Sequence, residues 1–275
     1  MRIDLHSHTR FSDGALSPDE LVMRAQQMQV DVLAITDHDT VDGIEPAIKS
    51  INTIYPKLSL ISGVEISTWW HGFEIHVLGL GVDHNDETFL TRLAQQQNER
   101  AQRGKDMVLK LQKVGVDITL EEVHSLAQGV ISRAHLAKLL VDKQVCSHPQ
   151  QAFSNYLGKH KKAYVRPKWI DIKSAIAWIH DAGGQAVLAH PFHYDMTTKW
   201  LRRLCHEFAH DGGDAMEVQH PNLPKPKRDL MIEIANECEL LGSAGSDFHA
   251  PGRWTELGRR LDLPDTIKPL WHDWF

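Results

Sequence analysis

Metal-ligand side chains recur at the ends of short apolar runs in this chain, and that recurrence narrows the possible folds more than any other feature. His6 and His8 close a run at residues 2–6, Asp37-His38-Asp39 closes 32–36, and Glu65 stands near the end of 58–66. His190 closes 186–189, and Asp247-Phe248-His249 closes 241–246. Such runs, rich in β-branched residues and bounded by turn residues, predict buried strands. Two more, Phe73–Leu80 and Ala215–Gln219, bring the expected strands to seven.

Helical patterns lie between several of them. Ser17-Pro18-Asp19-Glu20 has an N-cap, a first-turn proline and early acidic residues, and opens a helix to about residue 29. Residues 171–182, ended by Gly183-Gly184, and 227–239 form two more. Strands alternating with helices predict an α/β fold with a largely parallel core. Seven strands point to a closed or nearly closed barrel. Neither GxGxxG nor GxxxxGK[ST] opens a helix, so dinucleotide and P-loop sites are not indicated. Closed α/β barrels gather their active sites at the C-terminal ends of strands, which is where the ligand-type residues fall.

Residues 86–163 break the rhythm. A long polar helix is expected over 87–114 and shorter ones over 121–127, 133–141 and 149–157. This far exceeds a barrel crossover. Residues 99–163 are therefore read as an inserted helical subdomain on a barrel of 1–98 and 164–275, either capping the site or stabilising one rim.

His76 is a second irregularity, because it lies inside its run. The connection Thr68-Trp69-Trp70-His71-Gly72 is too short for a parallel crossover, so the third and fourth strands form a hairpin. A turn centred on Trp70-His71 would set Glu65 directly opposite His76, with Cβ atoms about 5 Å apart.

Eighteen histidines and three cysteines make any metal site His/Asp/Glu in type. One histidine at a strand end is ordinary as a hydrogen-bonded residue. HxH, DHD, Glu, His, HP and DxH in succession are not. Cys146, Cys205 and Cys238 form no CxxC and read as thiols of a reducing cytosol. A net charge of −6 argues against a surface built for long nucleic acid. No run is long enough to span a bilayer, and the first residues show no secretory pattern. The expectation is a cytoplasmic protein, with no stable protein partner implied.

The motifs D-L-H-S-H-T, S-D-G, T-D-H-D, G-V-E-I-S, E-I-H-V-L-G, L-A-H-P and G-S-D-F-H, in that order, resemble those of the polymerase and histidinol phosphatase (PHP) superfamily. The insertion after E-I-H-V-L-G, with R-A-H-L-A-K, A-V-L-A-H-P and D-A-M-E-V-Q, is similar to the branch of bacterial 3′,5′-nucleoside bisphosphate phosphatases, whose members also act as 5′-to-3′ exoribonucleases on short RNA. The resemblance implies a distorted seven-stranded (β/α) barrel with two or three divalent ions. By motif, His6, His8, Glu65 and Asp247 hold the first. Glu65, His76 and His190 hold the second, and Asp13, His38 and His249 the third. The Asp13 carboxylate, where some members have histidine, favours Mn or Mg there over Zn. Mn is the leading expectation, with Mg, Fe and Zn as alternatives.

Two ions a few ångströms apart supply hydroxide near neutral pH for in-line attack on phosphorus, so no protein nucleophile is expected. Asp37 and Asp39 are candidates for orienting the imidazoles, with turn or cap roles as the alternative. A second phosphate requires a second anion site. Arg133 and His135, at a helix start after Ser132, are candidates, or else a solvated helix start. Lys159-His160-Lys161-Lys162 is a solvated face or a steering patch. Trp69, Trp70, Phe192 and Trp254 are either base-stacking residues or packing. The expected substrates are nucleoside 3′,5′-bisphosphates or short RNA 5′ ends. The alternatives are a histidinol-phosphate phosphatase and a non-catalytic metal-binding module.

Overall fold

The computed structural model describes residues 1–127, 129–252 and 255–274. Trp254 lies outside them. Seven strands follow sequence order around the sheet: β1 (Ile3–Asp4), β2 (Val32–Ile35), β3 (Ser59–Trp70), β4 (Phe73–Leu80), β5 (Gln185–Leu188), β6 (Ala215–Gln219) and β7 (Leu241–Ala244). The Leu5 amide donates to the Ala244 carbonyl at 3.1 Å and the His8 amide to that of Phe248 at 2.9 Å. These bonds join the last strand to the first and close a distorted barrel.

Alternate residues enter two apolar cores. Val32 and Ala34 face the interior with Ile3, Leu78 and Val187, while Leu33 and Ile35 face the outer helices. Burial on both faces is why the strands read as unbroken apolar runs. Helices α1 (Pro18–Gln27), α2 (Ile44–Ile54), α7 (Ile172–Asp181), α8 (Thr198–His210) and α9 (Lys225–Glu237) pack outside. Ser17 and Glu20 complete a reciprocal cap on α1. Helix α2 starts from Gly43 with no side-chain cap, so its sequence carries no start signal.

Strand β4 runs antiparallel to both its neighbours. Its first residues therefore reach the rim where β1, β2 and β5–β7 end. This explains His76: Leu78 and Leu80 lie in the barrel interior, and His76 and Glu74 follow on the same face toward that rim. The hairpin differs from the sequence expectation. The turn is His71-Gly72, both with positive φ (43° and 91°), so His76 pairs with Ser67 and Glu65 with Leu78. A two-residue turn of this hand favours glycine at its second position. The slip of two residues keeps Glu65 and His76 on one face, as diagonal neighbours.

The segment between β4 and β5 is helical: α3 (Glu87–Lys113), α4 (Leu120–Leu126), α5 (Arg133–Asp142) and α6 (Pro149–Ala152), then a π-turn at Phe153–Leu157. Phe89 and Leu93 of α3 belong to the barrel core, whereas Met107 and Leu111 pack with Ile118, Val123, Leu136 and Leu140 in a core of their own. Lys159 donates to the Gly72 carbonyl at 2.9 Å, so part of the basic run grips the β3–β4 hairpin.

Arg100 on α3 is buried over Trp169, 5.0 Å from the ring centre, and its Nε donates to Asp39 at 3.0 Å. Asp39 also accepts the Ser67 amide at 2.9 Å. Removing one member of a buried ion pair strands the other. Asp39→Ala is therefore expected to lose about 3–5 kcal/mol of stability in urea unfolding. A loss below about 1 kcal/mol would show that Arg100 finds water or another acceptor.

Candidate metal centre

The rim gathers one largely buried cluster. His6 and His8 follow β1, His38 follows β2, Glu65 lies on β3, His76 on β4, His190 after β5, and Asp247 and His249 after β7. Asp13 arrives on a loop pinned by Asp37, which accepts from the Thr9 amide at 2.7 Å and the Ser12 hydroxyl at 2.6 Å.

Glu65 is the hub. Its Oε1 lies 2.8 Å from His76 Nδ1 and 2.9 Å from His190 Nε2. Its Oε2 lies 3.0 Å from His38 Nδ1, 3.4 Å from His8 Nε2 and 3.5 Å from His6 Nε2. Asp247 Oδ1 stands 3.3 Å from His6 Nε2 and 3.2 Å from His8 Nε2, which are 3.1 Å from each other. Ligand atoms around a four-coordinate ion with bonds of about 2.0–2.1 Å are about 3.3 Å apart. The His6, His8, Glu65 and Asp247 atoms match that spacing. Asp13 lies 3.3 Å from His249 Nε2 and 3.7 Å from His38 Nε2. His38 thus stands between the Glu65 and Asp13 groups, and His8 belongs to two ligand sets as well.

The unsatisfied atoms fit a cation. Asp13 Oδ1 and His38 Nδ1 are buried and make no well-aligned hydrogen bond, although His249 and Glu65 stand 3.3 and 3.0 Å from them, an arrangement that a shared cation would satisfy. Burial opposes charge on Glu65, Asp13 and Asp247, yet the surrounding imidazoles outweigh it and hold all three well below the usual carboxylate range. Burial and neighbouring His249 pull His8 down to about 4. Burial also acts against protonated His249, but Asp13 and Asp247 push it up to about 10. Divalent ions would take the place of protons in this cluster.

The PHP domain family model matches residues 4–220. The chain belongs to the PHP domain family. Over 98% of its length it is 44% identical to the 5′-3′ exoribonuclease Rnm of Escherichia coli, covering 93% of that protein. It is 34% identical to a 3′,5′-nucleoside bisphosphate phosphatase of Chromobacterium violaceum, covering 98% of this chain and 95% of that one. A solved structure of an amidohydrolase from Chromobacterium violaceum, with sulfate bound and no metal, superposes with a TM-score of 0.92 at 34% identity. It covers 99% of this chain and 95% of the other.

Within this PHP site, sequence reading missed Glu217. It lies inside β6, with Oε1 3.0 Å from His6 Nδ1 and Oε2 accepting the His190 amide at 2.6 Å. It stands as a lone acid in the D-A-M-E-V-Q run, which carries the family resemblance but no role for it. Asp37 and Asp39 do not touch the imidazoles directly. Asp37 holds the Asp13 loop and Asp39 holds Arg100. Glu74, near the start of β4, binds Arg133 at 2.8 Å, Arg103 at 2.9 Å and the Trp169 indole at 2.9 Å. Burial would raise its pKa, but Arg133 and Arg103 lower it strongly. His135 is buried, and its Nδ1 accepts from the Ser132 amide at 3.1 Å in a reciprocal cap. Trp70 is packing: it is buried edge-on to Trp200. Trp69 lies under the Arg166 guanidinium.

Proposed function

We propose that this protein is a metal-dependent phosphoesterase that removes the 3′-phosphate of nucleoside 3′,5′-bisphosphates and hydrolyses the same 3′ linkage at the 5′ end of short RNA. The observation that carries the reading is the cluster of five imidazoles around Glu65, with Arg133 anchored by Glu74 on the strand that carries His76. Full-length similarity to both an exoribonuclease and a bisphosphate phosphatase supports it.

His6, His8, Glu65 and Asp247 would hold one ion, Glu65, His76 and His190 a second, and Asp13, His38 and His249 a third. When bound, such ions lower the pKa of a shared water and neutralise charge gathering on the phosphoryl oxygens. Manganese suits the mixed carboxylate and imidazole donors. Glu217 fixes the His6 ring so that Nε2 faces the cluster. We assign 1–98 and 164–275 to the barrel and 99–163 to a cap whose Arg133 and His135 border the substrate. Arg103 Nη2, beside Arg133 on Glu74, is buried with no partner, a further donor for a 5′-phosphate. No helix among the described residues is long and apolar enough to cross a membrane. The three free thiols suit a cytoplasmic setting.

Phosphate release from adenosine 3′,5′-bisphosphate with added Mn²⁺ tests the reading, with histidinol phosphate and chelated enzyme as comparisons. No release from metal-loaded protein would refute it. Arg133→Ala separates the second phosphate from the chemistry. A hydrogen bond to a charged group contributes about 1.5–3 kcal/mol, so kcat/KM for the bisphosphate should fall about 10- to 100-fold. Turnover of p-nitrophenyl phosphate, which lacks a second phosphate, should change less than about threefold. Equal losses on both substrates would place Arg133 outside the 5′-phosphate site.

A further inference from the structure

A second basic feature lies on the same rim, away from the inserted helices. A cavity of about 750 Å³ opens between the end of β6, the start of α9 and Arg260. Lys225, Arg228 and Arg260 line it, and none of its described lining side chains is acidic. Nearby Asp229 pairs with Lys225 at 2.5 Å and stands 3.6 Å from Arg228 Nε. That Nε is buried with no hydrogen-bond partner. The α9 N-terminus has no side-chain cap, but Pro226 has no N–H and the Lys227 and Arg228 amides donate to the Pro224 carbonyl at 2.9 and 3.0 Å, so the side-chain cations and not the helix amides favour an anion.

Gln219 supplies a different donor–acceptor pattern. Its Nε2 donates to the Arg260 carbonyl, while its Oε1 is buried and unpartnered. Gln219 is 7% exposed, so the whole side chain is held inside. A cavity with two arginines and one orphaned acceptor fits a ligand that carries both a negative charge and a hydroxyl or amino donor. A nucleotide has both.

Strand β6 links the cavity to the metal centre. Gln219 lies two residues past Glu217, which touches His6. His193 stacks on His190 with ring centres 5.9 Å apart, and His220 meets His193 edge-on at 5.3 Å. Phe192 lies 5.4 Å from His220. Aromatic side chains beside a basic groove are how single-stranded nucleic acid is held without regard to sequence.

We propose that this cavity is the downstream subsite: it takes the nucleotide that follows the scissile bond in an RNA substrate. This rests on the phosphoesterase reading above. With a bisphosphate, water adds to phosphorus, the P–O3′ bond breaks, and the water proton ends on O3′. With RNA the same bond breaks and the same atoms move. The phosphate then carries the rest of the chain through its O5′ and becomes the new 5′ end. One centre therefore serves both substrates, and only the RNA reaches Arg228, Arg260 and Gln219.

The test measures kcat/KM of the Mn²⁺-loaded full chain on adenosine 3′,5′-bisphosphate and on 5′-phosphorylated tetra-adenylate. The variant carries Arg228→Gln with Arg260→Gln, and a second carries both as lysine; thermal melts check folding. The expected result is a loss of about 10- to 100-fold on the tetranucleotide, partly restored by lysine, with the bisphosphate within about twofold of wild type. Equal losses on both substrates, or no loss on either, would overturn the subsite. The wild-type bisphosphate rate reports separately on the phosphoesterase reading. If wild type cleaves neither substrate, anisotropy of labelled tetra-adenylate on chelated protein still decides. Weaker, less salt-dependent binding by the glutamine variant supports the subsite, and equal binding overturns it.

Discussion

Glu65→Gln is expected to lower phosphoester turnover by about 10³- to 10⁴-fold or more while the barrel stays folded. Glu65 Oε1 meets His76 and His190, and Oε2 meets His6, His8 and His38. Glutamine keeps the volume but removes the charge and turns an NH₂ toward nitrogens that need an anion or a shared ion. On the proposed reading, each of the first two ions would lose a ligand. Turnover, metal content by mass spectrometry and circular dichroism would be measured together. Retained metal with activity within about tenfold of wild type would show that Glu65 is not the bridge.

Chelation is expected to abolish turnover and to lower the melting temperature by about 5–15 °C. An ion at 100 to 1,000 times its dissociation constant stabilises the folded state by about 2.7–4.1 kcal/mol, and each kcal/mol moves the midpoint of a chain this size by about 2–4 °C. The effect follows from the cluster itself. Without ions, only protonated imidazoles stand near enough to balance Glu65, Asp13 and Asp247, and Asp13 and Asp247 push His249 up to about 10 despite its burial. Adding back Mn²⁺ should restore both properties. A melting temperature unchanged by chelation, in protein shown to contain metal beforehand, would mean that the ions contribute nothing to the fold. Comparing Mn²⁺, Mg²⁺ and Zn²⁺ in the same assay would rank the fit of the donors.

Much of this site is legible without coordinates because its chemistry is local. A HxH or DxH pair at a strand end is itself a pincer, and His6, His8, Asp247 and His249 converge as that spacing predicts. The Ser17 cap and the helices of the insertion are legible for the same reason. The hairpin was legible as a hairpin, but its register was not. The shift to a His71-Gly72 turn depends on which residues accept positive φ within a twisted pair of strands. The period of two saved the inference, because Glu65 and His76 share a face in either register.

The long-range partners left no comparable trace. Glu217 and His6 are 211 residues apart, and Arg133 of α5 meets Glu74 of β4. His193 and His220 carry no motif and become an aromatic shelf only where the loops after β5 and β6 meet. Ligand types, the strand ends that bear them, the family pattern and the helical character of the segment between β4 and β5 are written in the linear chain. All of these follow from side-chain chemistry and short-range periodicity. Folding in three dimensions sets the contact of His38 with Glu65, the direction of β4 that raises His76 to the rim, the Glu74 clamp and the cavity at Gln219. Each of those requires barrel closure, which brings distant residues within a few ångströms and buries them where an unpaired polar group is costly.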